Sequence, residues 1–251
     1  VFTPILNATD SAEPFYRAAN HVVDFALAKR YDTSESWFSS SRFIQGKYLQ
    51  TDTTSAEQSN SYQKFDYQSG YNSFTGSAGN NIGYLWKRHA GFTTVAYKGD
   101  GIAGRQIAHD MNNTVEMIWT KRRSPAAGWR VWHKGLNGGG SNAATWYLSL
   151  NETTAQTSNG DIYGSSSGIL PTSTHWTVGS NAAVNENGSD FISMLFASVT
   201  GISKVGYFDG QGSDLTVTFG FQPRFLMVKR IDSTGDWNVY DTTRGLVSGA
   251  D

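Results

Sequence analysis

Apolar residues alternate with polar or small ones over short runs, and the runs are separated by Gly, Asn, Asp and Ser. A period of two places successive side chains on opposite faces of an extended strand. Phe92 to Tyr97, Trp146 to Leu150, His175 to Gly179 and Phe191 to Ala197 read as strands on this basis, as do Ile82 to Trp86 and a strand beginning at Tyr48-Leu49. Residues 50–79 are almost entirely polar apart from Phe65, Tyr67, Tyr71 and Phe74, which predicts long loops with one strand. No window holds a helical period; at most one short helix is predicted, near Phe15-Tyr-Arg-Ala-Ala-Asn20. The pattern predicts an all-β fold.

One hairpin pattern occurs three times. Val23-Asp-Phe-Ala-Leu-Ala-Lys-Arg30, Val115-Glu-Met-Ile-Trp-Thr-Lys-Arg122 and Phe225-Leu-Met-Val-Lys-Arg230 each end an apolar strand in Lys-Arg. A polar turn follows, and Trp37, Trp129 or Trp237 opens the return strand eight residues after Lys29, Lys121 or Lys229. Other landmarks keep the same order. Gly91-Phe-Thr-Thr-Val-Ala-Tyr97 matches Gly201-Ile-Ser-Lys-Val-Gly-Tyr207, and Ile82-Gly-Tyr-Leu-Trp86 matches Ile192-Ser-Met-Leu-Phe196. Tyr48-Leu49 with Thr53-Thr54 matches Tyr147-Leu148 with Thr153-Thr154.

A period of roughly 90 to 110 residues is the size of one small β-domain rather than a solenoid repeat. The expected organisation is therefore an N-terminal arm or linker (1–21, which carries Pro4, Pro14 and few strand signals), a divergent, incomplete first repeat (22–90), a complete second (91–200) and a truncated third (201–251). About seven strands in the middle repeat predict tandem antiparallel β-sandwiches of jelly-roll or lectin-like type. The absence of a starting methionine suggests a processed product or a fragment.

Composition narrows the chemistry. The net charge is −1 and charged residues make up 16%, so no basic surface for nucleic acid is expected. No apolar run reaches the length of a membrane span. With no cysteine, disulfides, thiolate catalysis and Cys-based zinc sites are excluded. Burial and ladder hydrogen bonds must then hold the fold, with homo-oligomerisation as the expected further support.

The recurring Lys29-Arg30…Trp37, Lys121-Arg122…Trp129 and Lys229-Arg230…Trp237 have two readings. Tryptophan can stack on a sugar while arginine takes a carboxylate. Alternatively, lysine and tryptophan face each other across the hairpin as a packing or cation–π pair. Recurrence favours the second, because a fold-defining contact must recur while a ligand site need not. For glycan binding the better candidates are Trp132-His133 and His175-Trp176, which occur in the complete repeat only. The acidic turns 185–190, 209–214 and 232–236 are rich in oxygen but lack the full calcium-loop pattern, and turn chemistry explains them without a metal. Glu35, Glu57, Glu116, Glu152 and Glu186 are scattered, with no recognisable acid–base pair, and no nucleophile elbow, zinc motif or phosphate loop occurs. No catalytic residue, metal or cofactor is assigned. Sequons at Asn7, Asn112, Asn151 and Asn187 follow from composition.

Phe221-Gln-Pro-Arg-Phe-Leu-Met-Val-Lys-Arg-Ile-Asp-Ser-Thr-Gly-Asp-Trp-Asn-Val-Tyr-Asp241 resembles a repeat of marine tailed-phage virion proteins, cyanophages among them. So do Tyr147-Leu148 with Asn151-Glu-Thr-Thr154, and Val178-Gly-Ser-Asn-Ala-Ala-Val-Asn185 with Gly188. In those tail-fibre and appendage proteins the repeat occurs in tandem. The resemblance runs from about residue 22 onward, is strongest over 91–241, and is weakest in the loops of the first repeat. It implies a β-sandwich unit of an extracellular virion structural protein and supplies no catalytic residues. The expected function is a non-enzymatic tail-fibre or appendage segment. Its expected partners are copies of itself or other virion proteins, with host-surface polysaccharide as candidate ligand. A carbohydrate-binding module of a bacterial surface or secreted protein, and a phage glycan depolymerase, are the alternatives.

Overall fold

The computed structural model describes residues 1–6, 13–17, 21–73, 80–164 and 167–246. The protein is all-β, built of antiparallel sheets. β1 (Phe2–Leu6), β2 (Phe25–Arg30), β3 (Phe38–Ser41), β4 (Lys47–Gln50), β5 (Gln58–Ser59) and β6 (Asn81–Trp86) form one sheet in the order β1-β6-β2-β3-β4-β5. The next stretch contributes β7 (Phe92–Lys98), β8 (Arg105–Ala108), β9 (Met117–Ser124), β10 (Arg130–His133), β11 (Trp146–Tyr147), β12 (Thr157–Ser158), β13 (His175–Val178) and β14 (Asp190–Phe196). Four of these form a sheet in the order β10-β9-β14-β7, while β11 pairs with β12 and β13 with β8. The last pair is β15 (Phe225–Lys229) with β16 (Trp237–Asp241).

Corresponding strands pair in corresponding registers. Phe25 lies opposite Trp86 as Met117 lies opposite Phe196. Ser39 lies opposite Leu49, and Val131 bridges Leu148. Tyr48 pairs with Gln58 and Tyr147 with Thr157. At the hairpin ends, Lys229 faces Trp237; Ala28 opposite Phe38 and Thr120 opposite Arg130 put Lys29 across from Trp37 and Lys121 across from Trp129.

Strand β2 shows why the alternation is two-sided. Phe25 and Leu27 enter the main core with Ile82, Tyr84 and Trp86. Ala26 and Ala28, on the opposite face, lie with Leu85 under Phe15, Tyr16, Phe65 and Tyr71. Small residues on that face leave room for the covering rings. Gly83 makes the closest approach, because a Cβ there would sit 2.6 Å from Cδ1 of the fully buried Tyr16.

Several expectations are corrected. Residues 1–21, expected as an arm or linker, contribute β1, which pairs with β6 from Phe2 opposite Trp86 to Leu6 opposite Ile82. Pro4, which spoke against a strand, is tolerated because an edge strand can lack one ladder N–H. Tyr16, in the expected helix, instead bridges Tyr71, and residues 18–20 lie outside the described residues. A four-residue helix, Ala182–Asn185, forms where none was expected, with the Asn181 side chain accepting from Ala183 N at 2.9 Å. The expected strand 146–150 shortens to Trp146–Tyr147 plus the Leu148 bridge. Residues 202–208 match β7 in sequence but form no strand, and Tyr207 and Phe208 are exposed. Strand β7 pairs with β14, and among the described residues no such neighbour stands beside 202–208.

Gly83→Ala is expected to destabilise the protein by about 1–3 kcal/mol, since the added Cβ would press on the fully buried Tyr16 ring and force it to shift. Thermal or urea unfolding checks this; a wild-type midpoint would contradict the packing described.

Candidate functional site: hairpin tips docked on neighbouring loops

The Lys-Arg…Trp tips are where the structure departs most from a set of independent hairpins. The second tip, at the end of β9 and β10, sits on the loop that follows β4. Trp129 Nε1 donates to Gln50 O at 2.8 Å and Ala127 N to Thr54 O at 2.9 Å, while Glu57 N donates to Arg123 O at 2.7 Å. Lys121 Nζ reaches Thr54 O (3.3 Å), Ser55 O (2.9 Å) and Arg122 O (3.1 Å).

The third tip repeats this on the loop that follows Leu148. Trp237 Nε1 donates to Ser149 O at 3.1 Å and Gly235 N to Thr153 O at 2.9 Å, while Gln156 N donates to Ile231 O at 2.9 Å. Lys229 Nζ reaches Thr153 O (3.2 Å) and Arg230 O (2.7 Å). Gln50 and Ser149 each follow the Tyr-Leu pair directly, and the accepting threonine lies four residues further on in both. Two tips and two loops thus make the same contact with different side chains around it.

The second contact is the more buried. Trp129 and Lys121 are both 0% exposed, whereas Trp237 and Lys229 are half-buried. Burial, and then the Arg122 charge, pull the Lys121 ammonium down to about 8, so it remains charged at neutral pH. An ammonium has three protons to donate, and three carbonyls receive them. Left unmatched, such a buried charge would cost several kcal/mol. Arg123 adds a charged bond to the first sheet's loop, Nε to Glu57 Oε2 at 2.7 Å. The signature arginines serve their own turns, and Arg122 also reaches the Ala182–Asn185 helix and Glu186. Arg30 and Arg230 bind Asp32 and Asp232, and Arg122 binds Pro125 O, Ala126 O and Glu186.

The proposed glycan residues do not form a platform. Trp132 and Trp176 are 2% and 0% exposed, so neither indole can receive a sugar ring. Trp132 Nε1 is bonded to Ala143 O at 3.0 Å, and His109 stacks on Trp176. The two dipeptides lie on separate sheets, in β10 and β13. His133 accepts from Gly135 N at Nδ1, and burial pushes it down to about 4, with the Lys134 charge adding to the effect. His175 Nδ1 lies within bonding distance of the Thr172 and Thr174 hydroxyls.

Four of the six glutamates are held by cations: Glu13 by Lys64, Glu57 by Lys47 and Arg123, Glu116 by Lys134, and Glu186 by Arg122. Among the described residues no three His, Asp or Glu side chains come together as metal ligands.

What sequence reasoning missed is the receiving side. Backbone carbonyls of Gln50, Thr54, Ser149 and Thr153 leave no side-chain signature; only the Tyr-Leu and Thr-Thr pairs around them mark the loops.

The three tips converge. Leu27, Trp119 and Met227, each two residues before its lysine, line one cleft of about 350 Å³ together with Trp37, Trp237 and Thr153. The third hairpin also closes on the first sheet, where the Phe225 ring lies 5.0 Å from Tyr84 and 5.6 Å from Phe2 and Trp86. Tyr84 donates to Asp241 Oδ2 at 2.7 Å, and Arg244 Nε donates to the same oxygen at 2.6 Å. Burial would raise the Asp241 carboxyl, but bonds from Thr243, Tyr84 and Arg244, with the Arg244 charge, outweigh it and hold it below its ordinary value.

A family model described as Domain of unknown function (DUF7483) matches residues 86–250, about two thirds of the chain. The chain belongs to this family. The DUF7483 match takes in the second and third tips and the loop between them, but not the first hairpin or its loop. Comparison with curated proteins and with solved structures gave no match.

Two predictions follow from this geometry. Trp129→Ala is expected to cost about 3–5 kcal/mol, while Trp37→Ala, with no docked loop, is expected to cost under about 1 kcal/mol. Equal losses in denaturant unfolding would contradict the assignment of Trp129 to docking. Because the folded Asp241 pKa is depressed, its stabilisation is present above the ordinary carboxylate range near about 3.9 and is lost as pH falls through the lower folded value. Asp241→Asn should therefore be less stable at neutral pH and show a shallower loss below about pH 4. An unchanged acid limb in the variant would count against this linkage.

Proposed function

We propose that the chain is a non-enzymatic structural protein, a segment of a virion tail fibre or surface appendage built from tandem β modules. The observation that supports this reading most is the recurrence of the docking contact. The second tip on residues 50–57 and the third on residues 149–156 use the same donors and the same backbone acceptors. A contact that recurs this way couples successive modules and stiffens the line they form, as neighbour contacts do in repeat proteins. The cations on Glu57, Glu116 and Glu186 favour a structural rather than a catalytic role for these carboxylates. The virion setting rests on the resemblance of residues 221–241, 147–154 and 178–188 to tail-fibre repeats. Host-surface glycan, if it is bound, engages residues other than buried Trp132 and Trp176.

Immunogold electron microscopy of phage particles carrying the chain tests the proposal. Label along the appendages is expected, together with no release of reducing ends from host polysaccharide by the purified chain. Particles without label, or reducing ends whose release a single Glu or Asp substitution abolishes, would overturn it.

A further inference from the structure

The first tip carries the same donors as the other two, but among the described residues no loop supplies carbonyls to Lys29 and Trp37 as 50–57 and 149–156 do to the other tips. Lys29 and Trp37 stand across from each other in the shared register. Lys29 Nζ turns back onto Glu35 O of its own turn at 2.5 Å, whereas Lys121 and Lys229 reach out to Thr54 O and Thr153 O. Trp37 stacks on Tyr84, with centroids 5.1 Å apart and planes at 18°, and its indole N–H meets no acceptor among the described residues. Both loops of the receiving kind, 50–57 and 149–156, are already taken by the second and third tips. Half-buried Trp37 also borders the cleft where the three hairpins meet.

From these observations we infer that the first tip is an open docking end. Its occupant is a loop of another module of this kind, presenting backbone carbonyls four residues apart as Gln50 and Thr54 do. The two occupied contacts define the chemistry of the missing one. An indole N–H and a lysine ammonium take carbonyls at positions i and i+4 of a loop that turns between them, at 51–52 and at 150–151, and backbone amide bonds complete the contact. A sugar would fit an aromatic-lined cleft, but only a peptide segment accounts for Lys29 and Trp37 being the counterparts of the Lys121–Trp129 and Lys229–Trp237 pairs, each of which grips a peptide segment. The inference rests on the modular reading above, applied to an unfilled position.

The test uses the full chain and a fluorescein-labelled peptide with the sequence of residues 146–158. The peptide is closed between its ends by a disulfide, as the pairing of Trp146 with Ser158 suggests. Saturable binding by fluorescence anisotropy is expected. Trp37→Phe, which keeps the stack and removes the N–H, should weaken it roughly tenfold, and Lys29→Met should do the same. Circular dichroism confirms that each variant is folded. No saturable binding at about 1 mM peptide, or binding indifferent to both substitutions, would overturn the inference. Binding of a polysaccharide panel that depends on Trp37, without peptide binding, would overturn it in favour of a sugar site. If gold labels the virion but the peptide does not bind, only this inference falls and the structural-protein reading stands.

Discussion

The backbone of a neighbouring loop supplies acceptors to two donors buried at one hairpin tip, the Lys121 ammonium and the Trp129 indole N–H. That interaction organises the structure. Lys121 and Trp129 are fully buried, and their bonds reach residues 50–55, outside their own hairpin. Removing the loop would leave a desolvated charge and an orphan donor, so the tip and the loop are stable together or not at all. The third tip makes the same contact with less burial, while the first turns its lysine onto Glu35 O of its own hairpin.

The sheets themselves obey a second rule, which decides what the loops must do. Both faces of the first sheet are covered. One lies beneath Phe15, Tyr16, Phe65 and Tyr71, and the other meets Phe225 of the third hairpin and Phe92 of β7. With no cysteine available, apolar burial on both faces does the work that disulfides do in other small β proteins. The Tyr84–Asp241–Arg244 cluster then ties the last hairpin to the first sheet across 157 positions of sequence.

Much of this was legible from residue order. The strands around Lys29, Lys121 and Lys229, their shared register and the all-β class follow from period-two alternation closed by polar turns. β1 was hidden by Pro4, whose cost vanishes at a sheet edge. β8 was hidden because Arg105-Gln-Ile-Ala108 offers one apolar residue in four. Trp132 and Trp176 looked like ligand platforms because tryptophan beside histidine carries no sign of its burial; that depends on strands far away in sequence. The lysine–tryptophan signature was read as a pair facing across its own hairpin. The register agrees, but the bonds run to a loop that only tertiary structure brings near. Backbone acceptors have no residue code, so the receiving half of the site could not be read.

Amide hydrogen exchange, resolved by residue in the native protein, tests the docking account most directly. The account predicts slow exchange at Ala127 and Gly235, which donate to Thr54 and Thr153, and at Glu57 and Gln156, which donate to Arg123 and Ile231. Glu35, at the same place on the undocked first tip, should exchange fast. Rapid exchange at the four docked amides, or equal protection at Glu35, would contradict it.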